Sequence, residues 1–334
     1  MKKILRIIFM VCFAVCLAGC GKEDKKTVLD KVYRKVNNVK GYKLEAEMEL
    51  INNEDSYNYD ISVSYKKSDN YRVSLRNKTN NHEQIILKNE DGVYVLTPML
   101  NKSFKFQSKW PYNNSQSYLL QSIVNDMKND SNISMKKTKE GYVFTSKVNY
   151  KNNSSLTHQE VLVDKNYLIK SVTVLSDDGV AGIKVKFTST DMKAKFDDDY
   201  FELEQNMQTI MNDEETQMQI KELEEAIYPM YLPEGTYLET EKVVELDVGE
   251  RIILTFAGKT PFMLVEEPAV KEDEMIVVPT TGELDIFMDA IAIVGDSSVS
   301  WVSDGIEYYL VSSEMTTNEL ITVAKSIATM PVGK

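Results

Sequence analysis

At 334 residues, with 43% apolar and 27% charged side chains, the chain is long enough for two cores and too apolar for a disordered protein. Its three cysteines, Cys12, Cys16 and Cys20, all fall within the first twenty residues, which excludes a disulfide or a thiolate metal site in the body. Charge divides unevenly, with 7 Lys and Arg against 25 Asp and Glu from residue 206 onward and 32 against 26 before it; the acidic half is repelled by anionic lipid and by nucleic acid, and serves either solubility or a basic partner surface.

At the N-terminus, Lys2, Lys3 and Arg6 precede an apolar stretch, Ile7 to Leu17, too short to span a bilayer as a mature helix. Leu17-Ala18-Gly19-Cys20 then resembles the bacterial lipobox, which implies cleavage after Gly19 and diacylation of Cys20. Two acyl chains anchor stably where one does not. On that reading residues 1–19 are a signal peptide and 20–26 a lipidated tether reaching about 20 Å. The mature protein then sits on the extracytoplasmic face of the cell membrane.

Thr27-Val28-Leu29-Asp30 has the form of a capping box and predicts a helix with Val28, Val32, Val36 and Val39 buried and Gly41 as its C-terminal cap. The period then changes to two. Leu44, Ala46, Met48 and Leu50 alternate with glutamates; Tyr57, Tyr59, Ile61, Val63 and Tyr65 repeat the pattern, as do Tyr71, Val73 and Leu75. These are strands wet on one face. A hairpin follows across Ile85 to Leu96.

Leu96 to Met127 breaks the run of strands. Pro98 marks a corner, Phe104 and Phe106 lie on a short extended piece, and Trp110-Pro111 leads through Tyr112-Asn113-Asn114-Ser115 into the helix that follows Tyr118. Leu119, Leu120, Ile123, Val124 and Met127 recur at helical spacing, so that helix buries one side and is the natural cover for a sheet with one apolar face. Further strands are predicted at Ile133–Met135, Tyr142–Val148, His158–Val163, Leu168–Leu175 and Ala181–Phe187, and Asp197 to Phe201 closes the unit.

Gln208 to Ala226 is polar with a thin apolar stripe and predicts a connecting helix. Tyr228-Pro229 to Gly235 restarts the chain, and strands follow near Arg251–Phe256, Met263–Val265, Met275–Val278, Asp285–Met288, Val299–Val302 and Ile306–Val311. Thr316 to Glu319 caps a last helix with Leu320, Ile321, Ala324 and Ile327 inward. The expected architecture is α+β: a curved antiparallel half-barrel sheet covered by helices over residues 27–205, a connecting helix over 206–227, and a smaller C-terminal α+β domain over 228–334.

Signal peptide, lipobox, helix and alternating strands resemble the superfamily of LolA and LolB lipoprotein carriers and the periplasmic sigma-factor regulator RseB. Within it, Asn101 to Pro111, Asn114-Ser115-Gln116 and Tyr118 to Gln121 look like the sporulation and germination lipoproteins of the YdcC type and the shorter GerS. Tyr228-Pro229, Leu232 to Gly235, Leu254-Thr255-Phe256 and Val299-Ser300-Trp301 are similar to a C-terminal domain of the longer members. The resemblance implies a LolA-like fold and an envelope lipoprotein of sporulation or germination that binds a protein partner, a cortex-modifying enzyme or a membrane regulator. It leaves open LolA-like binding of an acyl chain or lipoprotein in an apolar cavity, and RseB-like binding of a membrane anti-sigma factor.

Reaction chemistry is sparse. The two histidines, His82 and His158, lie in polar surroundings and read as solvent-facing; no HExxH, GxSxG or phosphate loop is present, so no catalytic, metal or cofactor residue is assigned. Asp197-Asp198-Asp199 reads as a solvated turn, since adjacent carboxylates alone define no calcium loop. Phe104, Phe106, Trp110, Tyr112 and Tyr118 remain as candidates, either as plain core, as the lining of a concave apolar pocket, or as anchors of an exposed docking loop.

Overall fold

The computed structural model describes residues 23–52, 55–211, 223 and 225–327. The predicted signal peptide, Cys20, and residues 212–222 of the predicted connecting helix lie outside the described residues.

Helix α1 (Lys25–Asn37) begins earlier than the capping-box pattern suggested. Asp24 is its N-cap, its carboxylate accepting the Thr27 N–H at 2.7 Å. Val28, Val32 and Val36 are buried as their spacing requires, but Asn38 closes the helix. Gly41 instead opens β1 (Gly41–Asn52), where a Cβ would stand 2.9 Å from the Tyr65 carbonyl oxygen; the approach of the neighbouring strand, not a cap, demands glycine.

Strands β1, β2 (Asp55–Lys66), β3 (Asn70–Asn77), β4 (Glu83–Asn89), β5 (Gly92–Thr97) and β6 (Lys102–Phe106) form an antiparallel meander, with a 3-10 turn at Pro98–Leu100 before β6. Helix α2 (Leu120–Asn129) follows. A second meander, β7 (Ser134–Lys137), β8 (Gly141–Lys147), β9 (Leu156–Asp164), β10 (Ile169–Ser176) and β11 (Ala181–Asp191), returns so that β11 pairs with β1 and merges the two into one sheet.

One face of this sheet carries the main core. Leu44, Ala46 and Met48, Ile61 and Val63, and Val73 and Leu75 pack there with Val28, Val32 and Val36 of α1 and Ile123, Val124 and Met127 of α2. Both helices therefore lie on the same face. Helix α2 starts at Leu119 with no side-chain cap, so packing holds it: each buried aliphatic side chain stabilises it by about 1.5–3 kcal/mol. The opposite face is covered over β4 and β5, where Ile85, Leu87, Tyr94 and Leu96 meet Phe201 and Met207 of the segment carrying α3 (Leu203–Met211), and over the adjoining parts of β2 and β3, where Ser64 meets the Tyr200 hydroxyl and Arg72 the Asn206 side chain. Burial on both faces accounts for the unbroken Ile85-Ile86-Leu87 run.

The second sheet holds β12 (Thr236–Glu245), β13 (Glu250–Gly258), β14 (Phe262–Pro268), β16 (Glu283–Phe287), β17 (Ala290–Val294), β18 (Ser298–Ser303) and β19 (Ile306–Val311), in the order β12-β13-β14-β19-β18-β17-β16. Helix α4 (Thr317–Lys325) covers its core face and opens with the predicted Thr316–Glu319 capping box. The strand read near Met275 is present as β15 (Ile276–Thr280), but it joins the larger sheet, running parallel to β6 at its edge. Strands β12 and β17 had no counterpart among the predicted elements.

The two sheets share a boundary. Leu284 of β16 and Ile291 of β17 are buried in the core of the larger sheet. The Tyr59 hydroxyl donates to the Met288 carbonyl at 2.7 Å, and the Ile291 N–H donates to the Gln84 side-chain oxygen at 2.6 Å. Lys102 bridges to Glu307 at 3.1 Å, and Asn101 donates to the Glu272 carbonyl at 2.7 Å. No helix among the described residues is long and apolar enough to cross a membrane.

Candidate functional site

The stretch between β6 and α2 is fastened by an aromatic ladder. The Trp110 ring meets Tyr71 edge-on at 5.7 Å between centroids, Tyr71 meets Tyr65 at 4.9 Å, and Tyr65 stacks on Tyr42 at 5.2 Å. The ladder follows from register: Tyr42 opposes Tyr65 and Tyr65 opposes Tyr71, so three consecutive strands put tyrosine on one line. The Tyr42 hydroxyl donates to the Gln121 side-chain oxygen at 2.8 Å and ties the ladder to α2.

Trp110 and Pro111 are accordingly buried, and Trp110 is a core residue rather than an exposed anchor. Phe106 and Tyr118 are buried as well, and Phe104 is half-buried against the main core. Tyr112 alone of the five candidates reaches solvent, at 61% exposure. Its position is fixed nonetheless: its hydroxyl donates to Asp69, and the Lys88 ammonium lies 4.7 Å from its ring centroid while pairing with Asp69 at 2.5 Å. An exposed aromatic held this way presents apolar surface with little conformational entropy left to lose.

Tyr118 lines a cavity of about 100 Å³ at the junction of the sheets. Met48, Leu50, Tyr57 and Ile183 of the larger sheet form one wall, and Leu284, Ile286 and Met288 the other; Gln116, Asp285 and Lys325 bring polar groups to it. Burial raises the Asp285 carboxyl above its ordinary range, with the Lys325 charge opposing. Burial also pushes the neighbouring Asp126 up to about 6, against a hydrogen bond from Ser115. Sequence reasoning missed Asp285 and Lys325 because they come from β16 and α4, and no local period announces a side chain that meets its partners across the molecule.

The histidines correct one expectation. His82 is buried at 5% exposure, and burial lowers its pKa to about 4. His158 is half-exposed, its Nδ1 at 2.8 Å from the Thr157 hydroxyl and 3.5 Å from Asp177. His82 adjoins β4 and His158 lies on β9, with five strands of the sheet between them, so the pair cannot share a ligand or a proton. Among the described residues no group of three or more His, Cys, Asp or Glu is placed to hold a metal ion.

Residues 1–201 match the profile of a family described as sporulation protein YdcC-like. The chain is 34% identical over 312 residues to the sporulation protein YdcC of Bacillus subtilis strain 168, covering 93% of this chain and 92% of that one. Among solved structures it is similar to a chain of the Pseudomonas aeruginosa MucA/MucB complex, at 13% identity and a TM-score of 0.31 over 90% of this chain and 95% of that one. It is also similar to a chain of the Clostridioides difficile CwlD amidase–GerS lipoprotein complex, at 17% identity and a TM-score of 0.22 over 53% of this chain and 98% of that one.

Proposed function

Because the chain belongs to the family of YdcC-like sporulation proteins, we propose that it is a non-catalytic envelope lipoprotein acting through a protein partner. It is anchored by diacylated Cys20 on the extracytoplasmic face of the cell membrane and works during sporulation or germination. Residues 27–205 and 228–334 act as two units joined through 206–227.

What carries this reading is the filled interior of the larger sheet. Helices α1 and α2 and the β16–β17 hairpin pack against its apolar face, and the cavity left beside Tyr118 measures about 100 Å³. A pocket for a lipid-sized ligand takes about 300 Å³ or more. An open groove of about 740 Å³ adjoins the cavity and shares Tyr57, Leu156 and Lys325, but most of its lining residues are polar. Burying a whole acyl chain beneath the sheet would need the cavity to widen, whereas surface contact requires no rearrangement. Tyr112, rigid and exposed, is the contact residue we assign; Trp110, locked against Tyr71, holds the loop that carries it, while Phe104, Phe106 and Tyr118 belong to the core.

The test pairs two measurements in cells. Labelled palmitate is expected in the wild-type protein and absent from Cys20→Ser. A photo-crosslinking side chain at position 112 is expected to yield one discrete protein adduct. Lipid retained in stoichiometric amount by the purified protein, with no adduct at position 112, would overturn the partner reading in favour of carriage.

A further inference from the structure

Among the described residues the two sheets have four edge strands, and three of them are blunted. Strand β15 covers β6 and itself carries Pro279, which has no N–H to offer a further strand. Strand β7 is four residues long and ends in Lys136 and Lys137. Strand β16 lies in the boundary between the sheets, with Leu284 buried in the larger core. Short, basic or covered edges are how sheets avoid adding strands.

Strand β12 is neither short nor covered, and its edge devices are a bulge between Leu238 and Thr240 and a single lysine, Lys242. It is ten residues long, about 33 Å, and pairs on one side with β13 only, its other side unpaired among the described residues. It is also exposed on both faces. Leu238 and Val243 oppose Phe256 and Ile252, which are buried, yet remain 39% and 48% exposed because α4 packs over the middle of the sheet and not over this edge. Tyr237, on the opposite face, is 58% exposed.

Charge decides the occupant. Strand β12 carries Glu239, Glu241 and Glu245 against Lys242, and the turn after it adds Asp247 and Glu250. A second copy of the chain would set a strand of three glutamates and one lysine against its like, which is unfavourable; a basic strand would be attracted. Resting on the partner reading above, we propose that the β12 edge takes up an extended segment of the partner in which Lys or Arg alternates with apolar residues. The segment continues the sheet through main-chain hydrogen bonds, with its cations over Glu241 and Glu245, which share a face with Leu238 and Val243, and its apolar side chains over Tyr237 and Val244 on the other face.

The test uses the full mature chain and three labelled eight-residue peptides: alternating Lys and Val, the same with Glu for Lys, and the Lys-Val peptide with a central proline. Of two consecutive strand residues, one directs its N–H at β13 and the other at the free edge. Glu241→Pro and Lys242→Pro are therefore made together; the one that keeps the wild-type melting curve is the edge-blocking variant. The Lys-Val peptide is expected to bind saturably, the other two at least tenfold more weakly. The edge-blocking proline is expected to lower affinity at least tenfold, and Glu241→Lys with Glu245→Lys to shift preference to the Glu-Val peptide. The proposal is overturned if the three peptides bind alike, if binding survives the edge-blocking proline, or if that proline instead abolishes a dimer seen by sedimentation. None of these outcomes touches palmitate labelling or the adduct at position 112, so this proposal and the partner reading fail separately.

Discussion

The backbone N–H of Ile227 donates to Glu266 Oε2 at 2.9 Å, which pins the chain's entry into the second half onto β14. Glu266 is fully buried, and its other oxygen, Oε1, has no hydrogen-bond partner among the described residues. Burial, with the Glu241 charge adding, raises its pKa from 4.5 to about 7 against the Ile227 hydrogen bond. An acid with a raised folded pKa binds its proton more tightly in the native state. Its stabilisation is complete below about pH 4.5 and is lost as pH rises through about 7. A change of that size corresponds to roughly 3 kcal/mol. Glu266→Gln keeps the acceptor for Ile227 and is expected to flatten this slope in urea denaturation followed between pH 4.5 and 8.

His82 gives the opposite slope in the other half. Burial lowers its pKa from 6.5 to about 4, with Glu83 opposing, so the native state holds it neutral. Its contribution is present above about pH 6.5 and is lost as pH falls through about 4. His82→Gln is expected to remove this loss. The two tryptophans separate the effects, because Trp110 reports the larger core and Trp301 the smaller. Acidification from pH 7.5 to 5 is expected to lower the midpoint read by Trp110 in Trp301→Phe with Asp126→Asn, which removes the opposing gain of the raised Asp126 carboxyl, and to raise that read by Trp301 in Trp110→Phe.

Two neighbours in one loop are expected to behave oppositely. Trp110→Ala empties a fully buried site in the aromatic ladder and should destabilise by about 3–5 kcal/mol, read as a shift in the denaturant midpoint. Tyr112→Ala removes an exposed ring with its Asp69 hydrogen bond and Lys88 contact, and should cost only about 0.5–1.5 kcal/mol while abolishing partner capture.

Removing the Tyr59 hydroxyl strands the Met288 carbonyl it serves. Tyr59→Phe is expected to destabilise by about 1–3 kcal/mol and to increase hydrogen exchange in the β16–β17 hairpin before it does so in β13 and β14. Uniform exchange across the second sheet would mean that the boundary is held by its apolar side chains alone.

Much of the larger sheet was legible because most of its strands, β4 and β5 excepted, meet core on one face and water on the other, and period two survives in Leu44 to Leu50 and Tyr57 to Tyr65. The missed strands fail that condition in opposite ways. Ala290–Val294 is almost wholly buried and reads as a featureless apolar run, while Thr236–Glu245 is exposed on both faces and reads as polar. Trp110 and Tyr112 stand two positions apart in a loop, where no period separates an inward ring from an outward one. Cavity residues such as Asp285 and Lys325 depend on how two sheets meet, which leaves no local trace.

Strand β15 laces the two halves together in time as well as in space. The flank of β6 that it closes is made when residue 106 emerges and stays bare until residue 280 follows, roughly 170 residues later. At ~5–20 residues per second that interval is about 10–35 s. Throughout it, Lys102–Phe106 offers unsatisfied amides to any passing chain, so the nascent protein needs either a chaperone at its side or the two lysines of that strand, Lys102 and Lys105, to keep strangers off.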